Sequence, residues 1–94
     1  EKSNTLIALE CECSVDKIEF IASNLPDFIG FNFDMGNSAG IGNNPIDEIN
    51  ICKDRIFNVH IKDRELNGRT VPLGMGAVNF DIVFKNSKYV VYKL

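Results

Sequence analysis

The sequence predicts an α/β fold in which parallel strands curve into part of a barrel, with helices outside, and three observations carry that prediction. Short apolar runs alternate with segments of helical spacing along the chain, the order expected when crossover helices join parallel strands. Three of the runs end on polar groups, Glu10, Asp34 and His60, separated by 24 and 26 residues, near the roughly 30 residues of a strand, loop and helix unit. Within each run, large apolar side chains fall on one face and small or polar ones on the other. An open sheet covered by helices on both sides needs apolar residues on both faces. A barrel interior with a polar mouth fits this asymmetry, and in such barrels the site lies at the C-terminal strand ends.

The first strand is Leu6 to Glu10, LIALE, with Glu10, Ala8 and Leu6 on the inner face and Leu9 and Ile7 on the outer. Ser14 is the expected N-cap of the helix that follows. Asp16 and Glu19 sit near its positive end, and Val15, Ile18, Ile21, Ala22 and Leu25 form its apolar stripe before Pro26 stops it. The second strand, Phe28 to Asp34, FIGFNFD, places Asp34, Asn32 and Gly30 inward and Phe33, Phe31 and Ile29 outward. Asn44 and Pro45 are a cap and first-turn pair for a second helix that buries Ile46, Ile49 and Cys52. The third strand, Ile56 to Asp63, IFNVHIKD, carries the single histidine. His60, Asn58 and Ile56 are read inward and Ile61, Val59 and Phe57 outward, by period-2 alternation. Asn79 caps a short third helix through Phe80, Ile82, Val83 and Phe84, and Tyr89 to Tyr92, YVVY, begins a fourth strand.

With 94 residues, 45% of them hydrophobic, the chain has the composition of one globular segment. The net charge is −3 with basic and acidic residues interspersed, so there is no basic face for a nucleic acid. No run approaches the roughly 20 apolar residues that cross a bilayer, and the opening EKSNT has no signal-peptide character. No nucleic acid and no membrane partner are expected, and the cytoplasm is the expected compartment. Cys11, Cys13 and Cys52 are odd in number and follow no disulfide spacing, so they read as thiols; CxC without a second pair does not complete a structural zinc site. Both ends read as cut from a longer barrel, since the chain opens on Glu1 and the last strand begins just before Leu94.

Asp34 to Gly42, DMGNSAGIG, has three glycines but no lysine-serine ending and no helix expected behind it, so it is not a P-loop. Its glycines read as tight turns beside the site. The long loop Arg64 to Asn79, with Gly68, Gly74 and Gly76, leaves two readings open: a phosphate cradle of backbone N–H groups, or a plain connection. Taken singly, His60 reads as a structural hydrogen-bonding residue, and Glu10 and Asp34 as helix caps or turn acceptors. Taken together on three successive strand ends, they are a ligand set of oxygen and imidazole donors for one divalent metal.

The stretches DMGN, VHIKD and PLGMGAVNFDIVF, preceded by LIALE, resemble the C-terminal portion of the xylose isomerase-like TIM-barrel family of sugar phosphate isomerases and epimerases. The nearest subset is the hexulose-6-phosphate isomerase and L-ribulose-5-phosphate 3-epimerase type. The resemblance spans nearly the whole chain and implies a partial (β/α)8 TIM barrel of about four parallel strands with outer helices. It implies that Glu10, Asp34 and His60 are three of four ligands to a divalent metal ion, such as manganese, magnesium, zinc or cobalt. The fourth, an acidic residue or its amide, is expected just after Leu94. Asn37 stands where the ketose 3-epimerases have a substrate-contacting histidine, and it donates and accepts hydrogen bonds without carrying a proton. Leu66 stands where those epimerases have an arginine, with Arg64 and Arg69 as the two nearby substitutes, and Asn37, Lys62 and Arg64 are the substrate-binding candidates.

The implied activity, in carbohydrate metabolism, is isomerisation or epimerisation of a ketose or ketose phosphate by proton transfer through an enediolate, with Glu10 as ligand and base. The implied partner is a small-molecule sugar or sugar phosphate, and a second copy of the chain is a further candidate. Two other readings stand beside this one. A metal-dependent apurinic endonuclease-like hydrolase shares the barrel, but the acidic balance, Asn37 in place of a further histidine, and HIKD weigh against it. A non-catalytic sugar-binding or structural member is the other.

Four strands expose two sheet edges, and a polar inner face has nothing opposite it. Burying one large apolar side chain contributes about 1.5 to 3 kcal/mol, while ordering each residue costs on the order of 1 to 2 kcal/mol. The 94 residues expressed alone should therefore aggregate or associate through their edges. Sedimentation and denaturant titration check this, and a monodisperse monomer with a cooperative transition contradicts it.

Overall fold

A computed structural model of the protein describes residues 5–86. Three strands, β1 (Ile7–Glu10), β2 (Ile29–Asp34) and β3 (Ile56–His60), form one parallel sheet in chain order. Helix α1 (Val15–Ala22) connects the first two strands, and α2 (Met35–Gly40) and α3 (Pro45–Cys52) connect the second and third. Beyond the sheet, β4 (Asp63–Arg64) and β5 (Thr70–Val71) pair antiparallel, and α4 (Phe80–Asn86) follows. The expected fourth strand, Tyr89 to Tyr92, lies outside the described residues.

The caps are those the sequence predicts. Ser14 Oγ accepts from the Lys17 N–H, Asn44 Oδ1 from the Ile46 and Asp47 N–H groups, and Asn79 Oδ1 from the Ile82 N–H. Each satisfies donors that the first helical turn leaves without partners. The outer faces of β2 and β3 pack into two apolar clusters. Phe31 joins Ile18 of α1 and Cys52 of α3, while Phe33 and Val59 join Met35, Ile49 and Val83. Arg55 closes the connection into β2 by donating to the carbonyl oxygens of Leu25, Pro26 and Ile29.

Two expectations are corrected. Asp34 to Gly42 is not a run of turns: residues 35–40 are helical, and only Gly42 has a left-handed φ, +83°. Asp34 acts as N-cap, and Gly36 and Gly40 lie on contact surfaces, where a Cβ would come 3.0 Å from the Lys62 stem and 2.9 Å from the Arg64 guanidinium. Small residues are needed there because the chain beyond β3 crosses α2 at close range. The second correction concerns the start of β3. Phe31 pairs with Ile56, but Asn32 pairs with Asn58, so Phe57 is the extra residue of a bulge. Ile56 therefore packs with the helix-side clusters, and the Phe57 ring lies over Gly30, where a Cβ would meet it at 2.8 Å. Period-2 counting across the bulge exchanges the faces of those two residues.

The loop Arg64 to Asn79 is organised by a side chain rather than by a bound anion. Asp63, 0% exposed, accepts hydrogen bonds from the backbone N–H groups of Arg64, Gly74, Gly76 and Val78 at 2.9 to 3.1 Å. Of the N–H groups that made this loop a phosphate-cradle candidate, those of Gly74 and Gly76 already have the Asp63 carboxylate, and that of Gly68 donates to the Glu65 carbonyl oxygen. Burial pushes the Asp63 carboxyl up, and the four N–H donors outweigh it, so its pKa lies below the usual 3.8. A depressed folded-state pKa contributes stability that is complete above the unfolded value and is lost as pH falls through the folded one.

Asp63→Ala leaves the part-buried N–H groups of Arg64, Gly74, Gly76 and Val78 without this acceptor and should destabilise the complete protein by about 2 kcal/mol at neutral pH. Urea unfolding measures it. The gap between wild type and variant should narrow below about pH 4; a gap constant in acid rules out the carboxylate as its origin.

Candidate functional site

The parallel register sets polar side chains in rows on the inner face. Glu10, Asn32 and Asn58 are neighbours in one row, and Asp34 and His60 form the next. Glu10 thus sits one row below Asp34 and His60, a stagger of the kind a barrel imposes on its strands. Asn32 bridges the rows. Its Nδ2 lies 3.0 Å from Glu10 Oε2 and 3.2 Å from His60 Nδ1, and its Oδ1 accepts from Asn58 Nδ2 at 3.1 Å. His60 Nδ1 is 3.6 Å from Asp34 Oδ2, and Lys62 Nζ is 3.4 Å from the same oxygen.

The loops above the strand ends are tied together by Asn37 and Arg64. The Asn37 N–H donates to Asp34 Oδ1 at 2.9 Å, fixing the carboxylate at the start of α2. Arg64 donates to Asn37 Oδ1 at 3.0 Å, to Glu12 Oε2 at 2.8 Å, and through Nε and a terminal nitrogen to Gly68 O. A guanidinium has five N–H donors, so most of this one is engaged by the protein. Of the three substrate-binding candidates, Lys62 is the one whose charge stands directly at the Asp34 carboxylate, while Asn37 and Arg64 hold each other.

A second polar network lies behind α2. Glu48, 6% exposed, accepts from Ser38 Oγ at 2.7 Å and from Asn43 Nδ2 at 3.0 Å, and Asn43 also donates to Cys13 O. Burial raises the Glu48 pKa above the usual 4.5; the Ser38 and Asn43 bonds oppose this, and the nearby Asp34 carboxylate adds to it. All three cysteines are free thiols, and burial pushes Cys11 up to about 11 and Cys52 up to about 12. Such thiols carry little thiolate at neutral pH and act here as packing groups.

Two carboxylates and an imidazole suit a divalent cation by donor chemistry. Their present spacing is wider than a ligand cluster: among the described residues no group of three or more His, Cys, Asp or Glu side chains is placed to hold a metal ion. Glu10 and His60 meet through the Asn32 amide instead. Asn32 and Asp63 are the two organising residues that sequence reasoning did not single out. Asn32 had a signal, its inward position two residues before Asp34; the role of Asp63 depends on N–H groups up to 15 residues away.

The chain aligns with the crystal structure of a xylose isomerase domain protein from Planctomyces limnophilus at 27% identity with a TM-score of 0.75, covering 95% of this chain and 36% of that one. The fold is xylose isomerase-like. The three parallel strands and outer helices are thus part of a TIM barrel, and the chain spans about a third of that neighbour's length. No protein-family model matches the sequence, and no curated protein matches it. In this xylose isomerase-like segment, Glu10, Asp34 and His60 occupy the C-terminal ends of successive strands, the face on which such barrels carry their sites. No helix of the described residues is long and apolar enough to cross a membrane.

The raised Glu48 pKa carries the opposite sign to that of Asp63. Stability associated with it is complete below the unfolded value and is lost as pH rises from about 4.5 through the folded value. Glu48→Gln keeps an acceptor for Ser38 and Asn43 without the charge. The stability of this variant relative to wild type should therefore rise with pH across that window, as read by denaturation midpoints. Parallel profiles for the two proteins contradict the assignment.

Proposed function

We propose that the complete protein is a divalent-metal-dependent sugar or sugar-phosphate isomerase or epimerase, of the hexulose-6-phosphate isomerase or L-ribulose-5-phosphate 3-epimerase type. The observation that carries this reading is the placement of Glu10, Asp34 and His60 on three successive strand ends of a xylose isomerase-like barrel segment, with Glu10 and His60 joined through Asn32 and His60 facing Asp34. Glu10, Asp34 and His60 would hold the cation. When bound, such an ion polarises a sugar carbonyl and makes the neighbouring C–H acidic.

The chain's own groups then divide the work. Glu10 Oε2 is anchored by Asn32, which leaves Oε1 to take the proton from carbon. Lys62 stands beside Asp34 Oδ2 and donates to the sugar's hydroxyl or phosphate oxygens. Asn37, held by Arg64, offers its amide as a hydrogen-bonding group that does not exchange protons with substrate. Arg64 clamps the loops from three strands, and so keeps the mouth in one shape.

Solvent exchange tests the reading. The complete protein with manganese, incubated in deuterated water with a panel of ketoses and ketose phosphates, should incorporate deuterium at the carbon beside the carbonyl, detected by mass spectrometry. His60→Ala should lower the exchange rate by at least about 100-fold, the scale of a lost catalytic group. Undiminished exchange in that variant, or none with any sugar in the wild type, overturns the proposal.

A further inference from the structure

We propose that Asn67 is a modification site: its side-chain amide is lost by ring closure onto Gly68, and the isoaspartate that results unties the β4–β5 hairpin from α2 and from Arg64. The step goes beyond the sugar chemistry above and needs nothing that the inner face binds.

Glycine follows asparagine at one place in the sequence, Asn67-Gly68, in the turn between β4 and β5. Attack on an asparagine side chain by the next backbone nitrogen is intramolecular, so access to that nitrogen decides where it occurs. A glycine leaves it open, whereas Phe33, Ile51, Val59 and Phe80, which follow other asparagines, crowd it. Asn37-Ser38 lies inside α2, with Ser38 buried. Asn67 is exposed and has a φ of +54°, a left-handed conformation that asparagine adopts more readily than most residues. In the closed turn the Gly68 N–H donates to Glu65 O at 2.9 Å, so ring closure requires the tip to open. β4 and β5 are two residues each, and so short a ladder opens without unfolding the rest.

The step balances with water as its one co-reactant. The Gly68 nitrogen bonds to Asn67 Cγ, the Cγ–Nδ2 bond breaks, the Gly68 N–H proton passes to water and Nδ2 leaves as ammonia. Water then opens the cyclic imide. Addition at Cγ gives aspartate, and addition at the main-chain carbonyl carbon gives isoaspartate, in which the chain runs through the side chain. Either product adds a negative charge, and isoaspartate also lengthens the backbone by one methylene.

That extra length falls between two anchors. On one side the Asn67 N–H donates to Gly40 O at the end of α2, at 2.6 Å. On the other, Gly68 O accepts from Arg64 Nε at 3.1 Å and from a terminal nitrogen at 2.9 Å. Both were set for a normal backbone, and the longer one cannot keep both. Since the same guanidinium holds Asn37 and Glu12, the modification reaches the brace across the strand ends.

The test ages the complete protein at mildly alkaline pH and maps its peptides by mass spectrometry that distinguishes isoaspartate from aspartate. Isoaspartate should build up at Asn67 ahead of every other asparagine, more slowly than in the same protein unfolded in urea. Asn67→Gly keeps the left-handed turn and has no side chain to cyclise, so it should accumulate no product there and retain the hydrogen-exchange pattern of fresh wild type. The aged form, separated on its added charge, should exchange the amides of residues 67 and 68 at least about 10-fold faster than the fresh form, as a locally opened tip does. An Asn67 that stays intact in the folded protein after the unfolded protein has converted overturns the proposal. So does a converted protein whose amides exchange at the fresh rate.

Discussion

Strand β2 has to be buried on both faces while carrying apolar groups on one and polar groups on the other. Phe31 and Phe33 close the two clusters under the helices, and their burial requires Asn32 to turn inward beside Asp34. A buried amide or carboxylate is costly unless it is hydrogen-bonded. Among the described residues, no buried side-chain nitrogen or oxygen lacks a partner. Asn32 meets that requirement by taking Glu10, His60 and Asn58 as partners, so the condition that lets the strand be buried also brings the candidate residues Glu10 and His60 together. Apolar packing and the inner-face polar network are here consequences of one strand's alternation.

Two carboxylates show how partners rather than burial decide a charge. Asp63 and Glu48 are both removed from solvent. Asp63 collects four backbone N–H groups and is held as an anion, whereas Glu48 has two neutral side-chain donors and the Asp34 carboxylate nearby, and its proton is retained to higher pH. The first is the device by which a glycine-rich loop acquires one shape: the N–H groups of Gly74, Gly76 and Val78 converge on a single side chain. Lys62 and Arg64, which flank Asp63, are thereby held against α2, and the absence of a Cβ at Gly36 and Gly40 is what allows the approach.

The likeness to a xylose isomerase domain protein establishes architecture over this segment, and a barrel of this kind hosts many chemistries. The functional argument therefore rests on the inner-face side chains. Arg64 illustrates the difference between residue type and role. As a charge near the mouth it is a candidate for binding substrate, yet its hydrogen bonds to Glu12, Asn37 and Gly68 make it a brace between loops. Lys62, two residues earlier, has its ammonium group at the Asp34 carboxylate.

The alternation of strands and helices, the parallel sheet order, the three capping residues and the placement of Glu10, Asp34 and His60 at strand ends were legible in the sequence. Periodicity and capping depend on residues within a few positions of one another, and such local chemistry is written directly in residue order. The helix at 35–40 was hidden by its glycines, which suggest turns when read singly but are required by Lys62 and Arg64 crossing its surface. The bulge at Phe57, the one-row stagger of Glu10, the Asn32 bridge and the Asp63 cage belong to the tertiary structure alone. Each is set by which atoms of distant segments come within hydrogen-bonding or van der Waals distance. Strand register shifts in whole residues, and nothing in a strand's own pattern states where its neighbour begins.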